Sequence, residues 1–148
     1  MLRLGIAQSF KNCDAIYFPH NCDFRGRVYP VPPHLNHMGP DPNRGMLEFT
    51  EGRKIGKGGL RWLKIHLANK FGKDKLPLNE REAYAESIME MVHRIADDPK
   101  NNMDWLQADS PWQALACIFD LSAAMRLENP EDHISHLHVH VDGSCNGM

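Results

Sequence analysis

A proline-rich stretch between residues 30 and 45 limits what this chain can fold into. Proline lacks a backbone N–H donor and fixes φ, so we expect neither a strand nor a helix to run through it. We therefore predict a long ordered loop, with different secondary structure on its two sides. The stretch holds five of the ten prolines together with two glycines: Pro30, Pro32, Pro33, Pro40, Pro42, Gly39 and Gly45.

Two short segments ahead of this loop have the composition of strands. Residues 15–18 and 27–31 are rich in aromatic or β-branched side chains, and a polar connection, residues 20–26, lies between them. The pattern predicts an antiparallel pair of strands. The segment DFRGR, residues 23–27, would then lie at the bend of that pair.

Beyond the loop, apolar residues recur at the helical period, and three helices are predicted. The first covers residues 60–71 and stops at Gly72, the second lies between a cap at Asn79 and Pro99, and the third runs from a cap at Ser110 to about residue 127. Residues 136–142 alternate histidine or aspartate with apolar side chains, which predicts a strand. The fold class is therefore α+β.

Length and composition are those of one globular domain. With 148 residues, 42% of them hydrophobic, the chain can bury a core. No run of about 18 apolar residues is present, so we expect no membrane span, and the N-terminus shows neither a secretory nor a transit-peptide pattern. The four cysteines lack CxxC spacing, which favours reduced thiols over a zinc site.

Charge is divided unevenly along the chain. Residues 1–76 carry 13 Lys and Arg against 6 Asp and Glu, whereas residues 77–148 carry 4 against 13. The net charge of −2 hides this division. The first half is therefore the candidate for a phosphate-facing surface.

Two motifs contain side chains suited to phosphate chemistry. Asp142 ends the predicted last strand and Gly143 follows, so a carboxylate and a backbone carbonyl can face the same point, an arrangement that suits Mg²⁺. Arg25 and Arg27 lie two residues apart, so on an extended chain both would point to one face, and Gly26 would allow close backbone approach. Paired guanidinium groups suit bidentate phosphate contacts.

Four segments carry a family resemblance. They are YFPHNCDFRGRVYP at 17–30, WLKIH at 62–66, DSPWQALA at 109–116 and VDGSCNG at 141–147. In this order they resemble the opening catalytic motifs of the phage-type single-subunit RNA polymerases, and the first motif looks most like the mitochondrial branch. Two residues depart from the family's usual ones: Cys22 replaces methionine and Met148 replaces leucine.

The resemblance implies the first part of a polymerase palm. Residues 1–148 would supply sheet segments at about 15–41 and 133–148 and a largely helical insertion at about 42–132. The family's second metal-binding carboxylate and its nucleotide-gripping helix lie further downstream, so we expect this part to be inactive alone. The implied location is the mitochondrion, with the plastid as an alternative.

The implied reaction is template-directed addition of ribonucleoside triphosphates, with two Mg²⁺ ions in the intact enzyme. The resemblance makes Asp142 a catalytic metal ligand and lets Gly143 lend its backbone carbonyl. It makes Lys64 a nucleotide contact. The implied partners are template DNA, product RNA and nucleotides, with accessory transcription factors left open and no membrane.

The resemblance likewise implies that Arg25 and Arg27 hold the template and the RNA:DNA hybrid. Asp23 is expected to orient one of these arginines rather than to bind metal. Gly26 would support the motif between them.

Two other classes of function compete with the polymerase. The segment HLHVHVD resembles the motif of the histidine-triad nucleotide hydrolases, with His136, His138 and His140 as the phosphate-binding residues, although Asp142 stands where a hydrophobic residue is usual. The same alternation also leaves open a metal site made of three imidazoles and a carboxylate on one face. A non-catalytic RNA-binding module fits the basic first half, but no RNP, KH or zinc-knuckle motif is present.

Overall fold

The computed structural model describes residues 2–140, which contain helices and two small antiparallel sheets and so confirm the α+β class. Short 3-10 turns at Asp104–Gln107 and Pro130–Asp132 flank the last helix. Within the described residues, no helix is both long enough and apolar enough to cross a bilayer. The helices are α1 Leu2–Phe10, α2 Asp41–Met46, α3 Gly59–Lys70, α4 Leu78–Ser87, α5 Met89–Asp97 and α6 Pro111–Met125, and the strands are β1 His20–Cys22, β2 Val28–Pro30, β3 Arg53–Lys54 and β4 Ile134–Ser135.

The predicted hairpin is present, but its first strand lies later than expected. β1 pairs antiparallel with β2, and Cys22 is opposite Val28. The prediction of a strand at 15–18 was wrong, because the tight turn begins directly after Cys22 and the loop length fixes which residues can pair. The DFRGR segment forms the turn, as predicted.

The helix predicted between Asn79 and Pro99 is broken in two. α4 ends at Ser87 and α5 begins at Met89. The Ser87 hydroxyl donates to the carbonyl of Tyr84 at 2.6 Å, which is the carbonyl that a continuous helix would use for the Ile88 N–H. Asn79 is not the cap either, since α4 begins at Leu78 after Pro77.

The proline-rich loop is irregular only as far as Pro40. The prediction of a loop up to residue 45 was wrong, because α2 begins at Asp41 and contains Pro42 in its first turn. Proline is tolerated there, since the N–H it lacks would have no partner within the helix. α1 was also missed, and none of its residues is buried.

The segment predicted as the last strand pairs earlier than expected. β4 pairs antiparallel with β3, and Arg53 is opposite Ser135. Residues 136–140 are outside any strand, and Val141 and Asp142 lie outside the described residues, so the prediction of a strand over 136–140 was wrong. The pairing partner, β3, lies inside the stretch predicted as a helical insertion. The division of the chain into palm segments stays a prediction.

The core forms where α3, α5 and α6 meet, and α6 contributes the largest share of it. The predicted starts and ends of α3 and α6 are confirmed to within two residues, with Gly72 in the left-handed region directly after α3. Burial of these side chains is the main favourable term in the fold. The buried cluster comprises Leu63, Leu67, Val92, Ile95, Trp105, Cys117, Ile118, Leu121 and Ala124.

The N-terminus of α6 is capped by a residue from a distant part of the chain. Ser110 makes no side-chain cap, contrary to the prediction. Instead the Asp41 carboxylate accepts hydrogen bonds from the backbone N–H groups of Trp112, at 2.8 Å, and Gln113, at 3.1 Å. The side-chain amide of Gln113 also donates to Asp41, at 3.0 Å. This contact holds α2 against the start of α6.

Removal of this cap should destabilise the chain. Asp41→Ala leaves two helix N–H groups without an acceptor and removes a negative charge from a helix N-terminus, so we expect a loss of about 1–2 kcal/mol in unfolding free energy. Asp41→Asn keeps one acceptor and should lose less. Urea denaturation measures the difference.

The matched control is Glu128→Ala, at an exposed carboxylate beyond the end of α6. It should stay within about 0.5 kcal/mol of the parent chain. A loss in Asp41→Ala no larger than in the control would contradict the capping role.

Candidate functional site

The turn of the hairpin is organised by Asp23. One oxygen of its carboxylate, Oδ1, accepts the backbone N–H groups of Arg25, at 2.9 Å, and Arg27, at 3.0 Å. The other, Oδ2, accepts Nε and Nη2 of Arg25 at 3.0 and 2.8 Å. The backbone N–H of Arg27 and the guanidinium and N–H of Arg25 hold the pKa of Asp23 below its ordinary value. Asp23 therefore stays ionised and fixes both the turn and one arginine.

The turn requires glycine at position 26 because of the backbone conformation there, and not because a side chain would lack space. Its φ is 77°, in the left-handed region, whereas a Cβ built on it would meet no atom within 4 Å. Because Arg25 lies in the turn and Gly26 reverses the chain, the two arginines do not share one face of an extended strand. That part of the geometric prediction was wrong.

The tip of the hairpin exposes two cations and an aromatic ring. Arg25 keeps 52% of its side chain exposed although it is paired with Asp23, and its guanidinium lies 5.8 Å from the ring centre of Phe24. The Phe24 side chain is 99% exposed. Arg27 is exposed, and within residues 2–140 its guanidinium makes no hydrogen bond or ion pair. The tip can therefore offer to a phosphate one guanidinium oriented by Asp23 and one that is exposed and has no partner within residues 2–140.

Lys64 is placed differently from what a free nucleotide contact would require. Its Nζ lies 2.8 Å from Oε1 of Glu86 on α4, and only 12% of its side chain is exposed. An anionic ligand could reach this ammonium group only by replacing or joining Glu86. The structure does not bring Lys64 together with the hairpin tip in any described contact.

Asp142 and Gly143, the proposed metal ligands, lie outside the described residues. What is described is the segment that leads to them. Backbone bonds join it to the chain around β3: Ile55 N–H donates to His133 carbonyl at 2.9 Å, and Phe49 N–H donates to His136 carbonyl at 2.9 Å. The approach to Asp142 is therefore anchored to a second part of the chain.

A further set of polar side chains on this segment was missed by the sequence reasoning. Asp120 of α6 bonds His133 Nε2 at 2.8 Å and the Ser135 hydroxyl at 2.7 Å. Its side chain is 15% exposed and that of His133 is 13% exposed. The signal in the sequence was a single carboxylate within the otherwise apolar run ALACIFDLSAAM.

The histidines of the last segment do not act as one row. His136 Nδ1 bonds the carbonyl of Phe49 at 2.7 Å, whereas the rings of His138 and His140 pack at right angles, 4.7 Å apart. The latter two lie beside a cavity of about 440 Å³ that also touches Phe49 and His37. Nε2 of His138 is buried and has no hydrogen-bond partner within the described residues.

This arrangement gives no support to the two histidine-based alternatives. Within residues 2–140, no group of three or more His, Cys, Asp or Glu side chains is arranged to hold a metal ion. One of the three imidazoles required by a histidine triad, that of His136, bonds a backbone carbonyl.

His66 of α3 faces the same imidazole group. Burial lowers its pKa to about 4, and the charges of Lys70, His138 and His140 act in the same direction. Burial likewise lowers the pKa of His138, and that of His140 to about 4. These imidazoles are therefore neutral at pH 7. His138 and His140 belong to the segment that leads to Asp142, and their rings pack against each other.

Comparison with known proteins identifies relatives over nearly the whole chain. A family model described as DNA-dependent RNA polymerase matches residues 53–148. A mitochondrial DNA-directed RNA polymerase of Neurospora crassa is 50% identical over 99% of this chain. DNA-directed RNA polymerase 2, chloroplastic/mitochondrial, of Arabidopsis thaliana is 51% identical over 99%, and the human mitochondrial enzyme is 47% identical over 100%.

The matched region is a small part of those relatives. This chain corresponds to 10% of the length of the Neurospora protein, 15% of the Arabidopsis protein and 12% of the human protein. The identity shows that the chain is related to these polymerases, but their activity is that of much longer proteins.

Lowering the pH should destabilise the fold through His66. Its folded-state pKa is about 4 and the ordinary value is about 6.5, so the unfolded chain binds the proton first. The stability that neutral His66 contributes is therefore fully present above pH 6.5, and it is lost as the pH falls toward 4. His66→Gln cannot titrate, so its unfolding free energy should fall less over this window, by about 2 kcal/mol.

Urea denaturation at several pH values between 7 and 4 measures this slope. His34→Gln, at an exposed histidine, is the matched control. Equal slopes for the parent chain and His66→Gln would contradict the inference.

Proposed function

The chain belongs to the phage-type single-subunit DNA-directed RNA polymerase family, and on that premise we propose that it forms the first part of the palm of a mitochondrial enzyme. The proposed activity of the intact enzyme is template-directed synthesis of RNA from ribonucleoside triphosphates. The observation that carries the proposal is a sequence identity of 50% to a fungal polymerase and 51% to a plant polymerase, each over 99% of the chain. The names of these relatives support the mitochondrion, with the plastid as the alternative location.

The proposed metal ligands have the right chemistry for Mg²⁺. Asp142 offers a carboxylate and Gly143 a backbone carbonyl, and hard divalent cations prefer oxygen donors of this kind. When bound, Mg²⁺ ions supply charge stabilisation during nucleotidyl transfer. The chain's own part is to present Asp142 at a fixed place, since a ligand displaced by an ångström loses much of its effect.

The hairpin tip is the proposed contact with nucleic acid. Asp23 fixes Arg25 through two hydrogen bonds, which reduces the entropy lost when that guanidinium binds a phosphate. Arg27 adds an exposed charge beside it. Contacts of this kind hold template DNA and the RNA:DNA hybrid by their backbones, and they position a duplex without reading its sequence.

Lys64 remains the proposed contact for the incoming nucleotide. Its pairing with Glu86 at 2.8 Å means that a triphosphate would have to replace or share that partner. The negative charge of a triphosphate and the positive charge of a bound metal change the local field enough for such an exchange. The proposed partners are therefore template DNA, product RNA and ribonucleoside triphosphates, with accessory transcription factors left open.

Asp142→Asn in the full-length enzyme should abolish RNA synthesis. The amide removes a metal-binding charge without removing bulk, so we expect the rate of nucleotide addition to fall by at least about a hundredfold. Affinity for template DNA should stay near that of the parent, since Arg25 and Arg27 are intact. Primer-extension kinetics and DNA-binding titrations measure the two quantities.

Glu131→Gln, at an exposed carboxylate eleven residues earlier whose side chain makes no hydrogen bond or ion pair within residues 2–140, is the matched control and should keep its rate. Synthesis by Asp142→Asn at the parental rate would rule out the metal role. If turnover were instead lost in a folded His138→Asn variant that retains Asp142, the histidine-triad alternative would be favoured.

Arg25→Ala and Arg27→Ala should each weaken the elongation complex independently of sequence. The slope of log affinity against log salt should become shallower by about one unit for each phosphate that the variant no longer binds. Lysine at either position should rescue only in part, because a point charge cannot reproduce a bidentate fork. Short abortive RNAs should persist while long products fail to form.

Lys100→Ala, at an exposed cation in the acidic half of the chain, is the control and should keep the parental salt slope. Normal processivity and an unchanged slope in both arginine variants would mean that DFRGR is structural.

A further inference from the structure

α6 carries one carboxylate in the middle of its apolar sequence. Asp120 lies between the buried Ile118 and Leu121, and only 15% of its side chain is exposed. A charge at such a place is costly unless its oxygens are hydrogen-bonded. The contacts that satisfy these oxygens therefore indicate what the residue does.

Both oxygens of Asp120 are used by one short stretch of chain. Oδ1 lies 2.8 Å from Nε2 of His133, and Oδ2 accepts the hydroxyl of Ser135 at 2.7 Å. A carboxylate has no proton to donate, so His133 must donate from Nε2. The Ser135 hydroxyl oxygen in turn accepts the N–H of Leu137 at 3.2 Å. The side chains of His133 and Ser135 therefore bind α6 directly, and the backbone of Leu137 is held through Ser135.

The other edge of the same stretch is held by backbone bonds. Gly56 N–H donates to Glu131 carbonyl at 3.0 Å, and Ile55 N–H donates to His133 carbonyl at 2.9 Å. Ser135 pairs with Arg53 across the β3–β4 ladder. Backbone pairing alone leaves a two-residue ladder free to slip, because every residue presents the same N–H and C=O groups.

Asp120 removes that freedom. His133 and Ser135 are two residues apart, so their side chains lie on one face of the extended chain and reach the same carboxylate. A slip of one residue would bring Ile134 to Asp120, and isoleucine cannot donate a hydrogen bond. The largely buried carboxylate would then lose at least one partner, and a buried polar group without a hydrogen bond destabilises the fold.

We infer that Asp120 is a positioning residue for Asp142, acting through His133 and Ser135 to fix the register of the segment that ends in the DGS motif. Asp142 follows Ser135 by seven residues. A one-residue slip of β4 would shift the point at which the chain leaves the β3–β4 pair, so the register sets where the stretch that leads to Asp142 begins. The inference rests on the proposed role of Asp142 as a metal ligand.

The test uses the full-length polymerase, with Mn²⁺ as a spectroscopic probe of the metal site. Asp120→Ala should weaken Mn²⁺ binding, measured by electron paramagnetic resonance, by about tenfold, a loss typical of residues that orient a metal ligand. The amides of residues 133–137 should exchange hydrogen for deuterium faster. Affinity for template DNA should stay parental. Asp120→Asn, whose carbonyl can still accept from Ser135, should recover part of the Mn²⁺ affinity.

Two more variants separate positioning from general stability. Asp97→Ala removes an exposed ion pair with Arg126 beside the same helical core, and it should change neither Mn²⁺ affinity nor exchange of 133–137. Ser135→Ala removes one of the two side-chain hydrogen bonds to Asp120. It tests the positioning role even if Asp120→Ala does not fold. It should weaken Mn²⁺ binding by about threefold, part of the loss expected for Asp120→Ala.

The outcomes distinguish the inference from the function on which it rests. Parental Mn²⁺ affinity in Asp120→Ala and Ser135→Ala, together with loss of binding in Asp142→Asn, would overturn the positioning role and leave the metal role intact. Parental affinity in Asp142→Asn would overturn both. Weakened binding in all three variants, with Asp97→Ala unchanged, supports the inference.

Discussion

Burial of α6 is the constraint on which the other elements depend. This helix contacts α2, α3 and α5, and it contributes five buried apolar residues: Ala114, Cys117, Ile118, Leu121 and Ala124. Close approach is needed on one side: a Cβ at Gly45 of α2 would lie 2.6 Å from the backbone of Trp112. The hydrophobic contacts bring the elements together without direction, and two carboxylates, Asp41 at its N-terminus and Asp120 in its middle, make the arrangement specific.

The features that the sequence predicted well are those set by neighbouring residues. The turn of DFRGR follows from an aspartate that can accept nearby N–H groups and a glycine that can adopt a positive φ. α3 follows from the spacing of leucines and from Gly72. The features it missed depend on partners far along the chain, such as the Asp41 cap on α6. The break at Ile88 is local, but it depends on which rotamer Ser87 adopts, and apolar periodicity carries no information on that.

The same distinction applies to the candidate site. Alternation predicted a histidine row at 136–140, but it could not show that Phe49 engages His136 or that burial leaves His138 and His140 neutral. A neutral imidazole packs as an amphipathic ring, whereas a phosphate-binding imidazole gains from being charged. The lowered pKa values of His138 and His140 therefore give no support to phosphate binding by charged imidazoles. The family resemblance identified the motifs, and the contacts distinguish side chains already engaged from those still exposed.

Folding also changes what the uneven charge along the chain means. Three cations of the basic first half are paired with carboxylates of the acidic second half: Lys54 with Asp132, Arg61 with Glu82, and Lys64 with Glu86. Counted along the sequence these residues belong to a phosphate-facing half, but in the fold their charge is largely compensated. The hairpin differs, because Asp23 is the carboxylate bound to Arg25 and comes from the same turn. A local partner orients Arg25 while leaving half of its side chain exposed, whereas Lys64, whose partner lies on another helix, keeps only 12% exposed. A surface for nucleic acid therefore depends less on net charge than on where the compensating carboxylates lie, and by that criterion the tip of DFRGR is the basic segment best placed to meet a phosphate backbone.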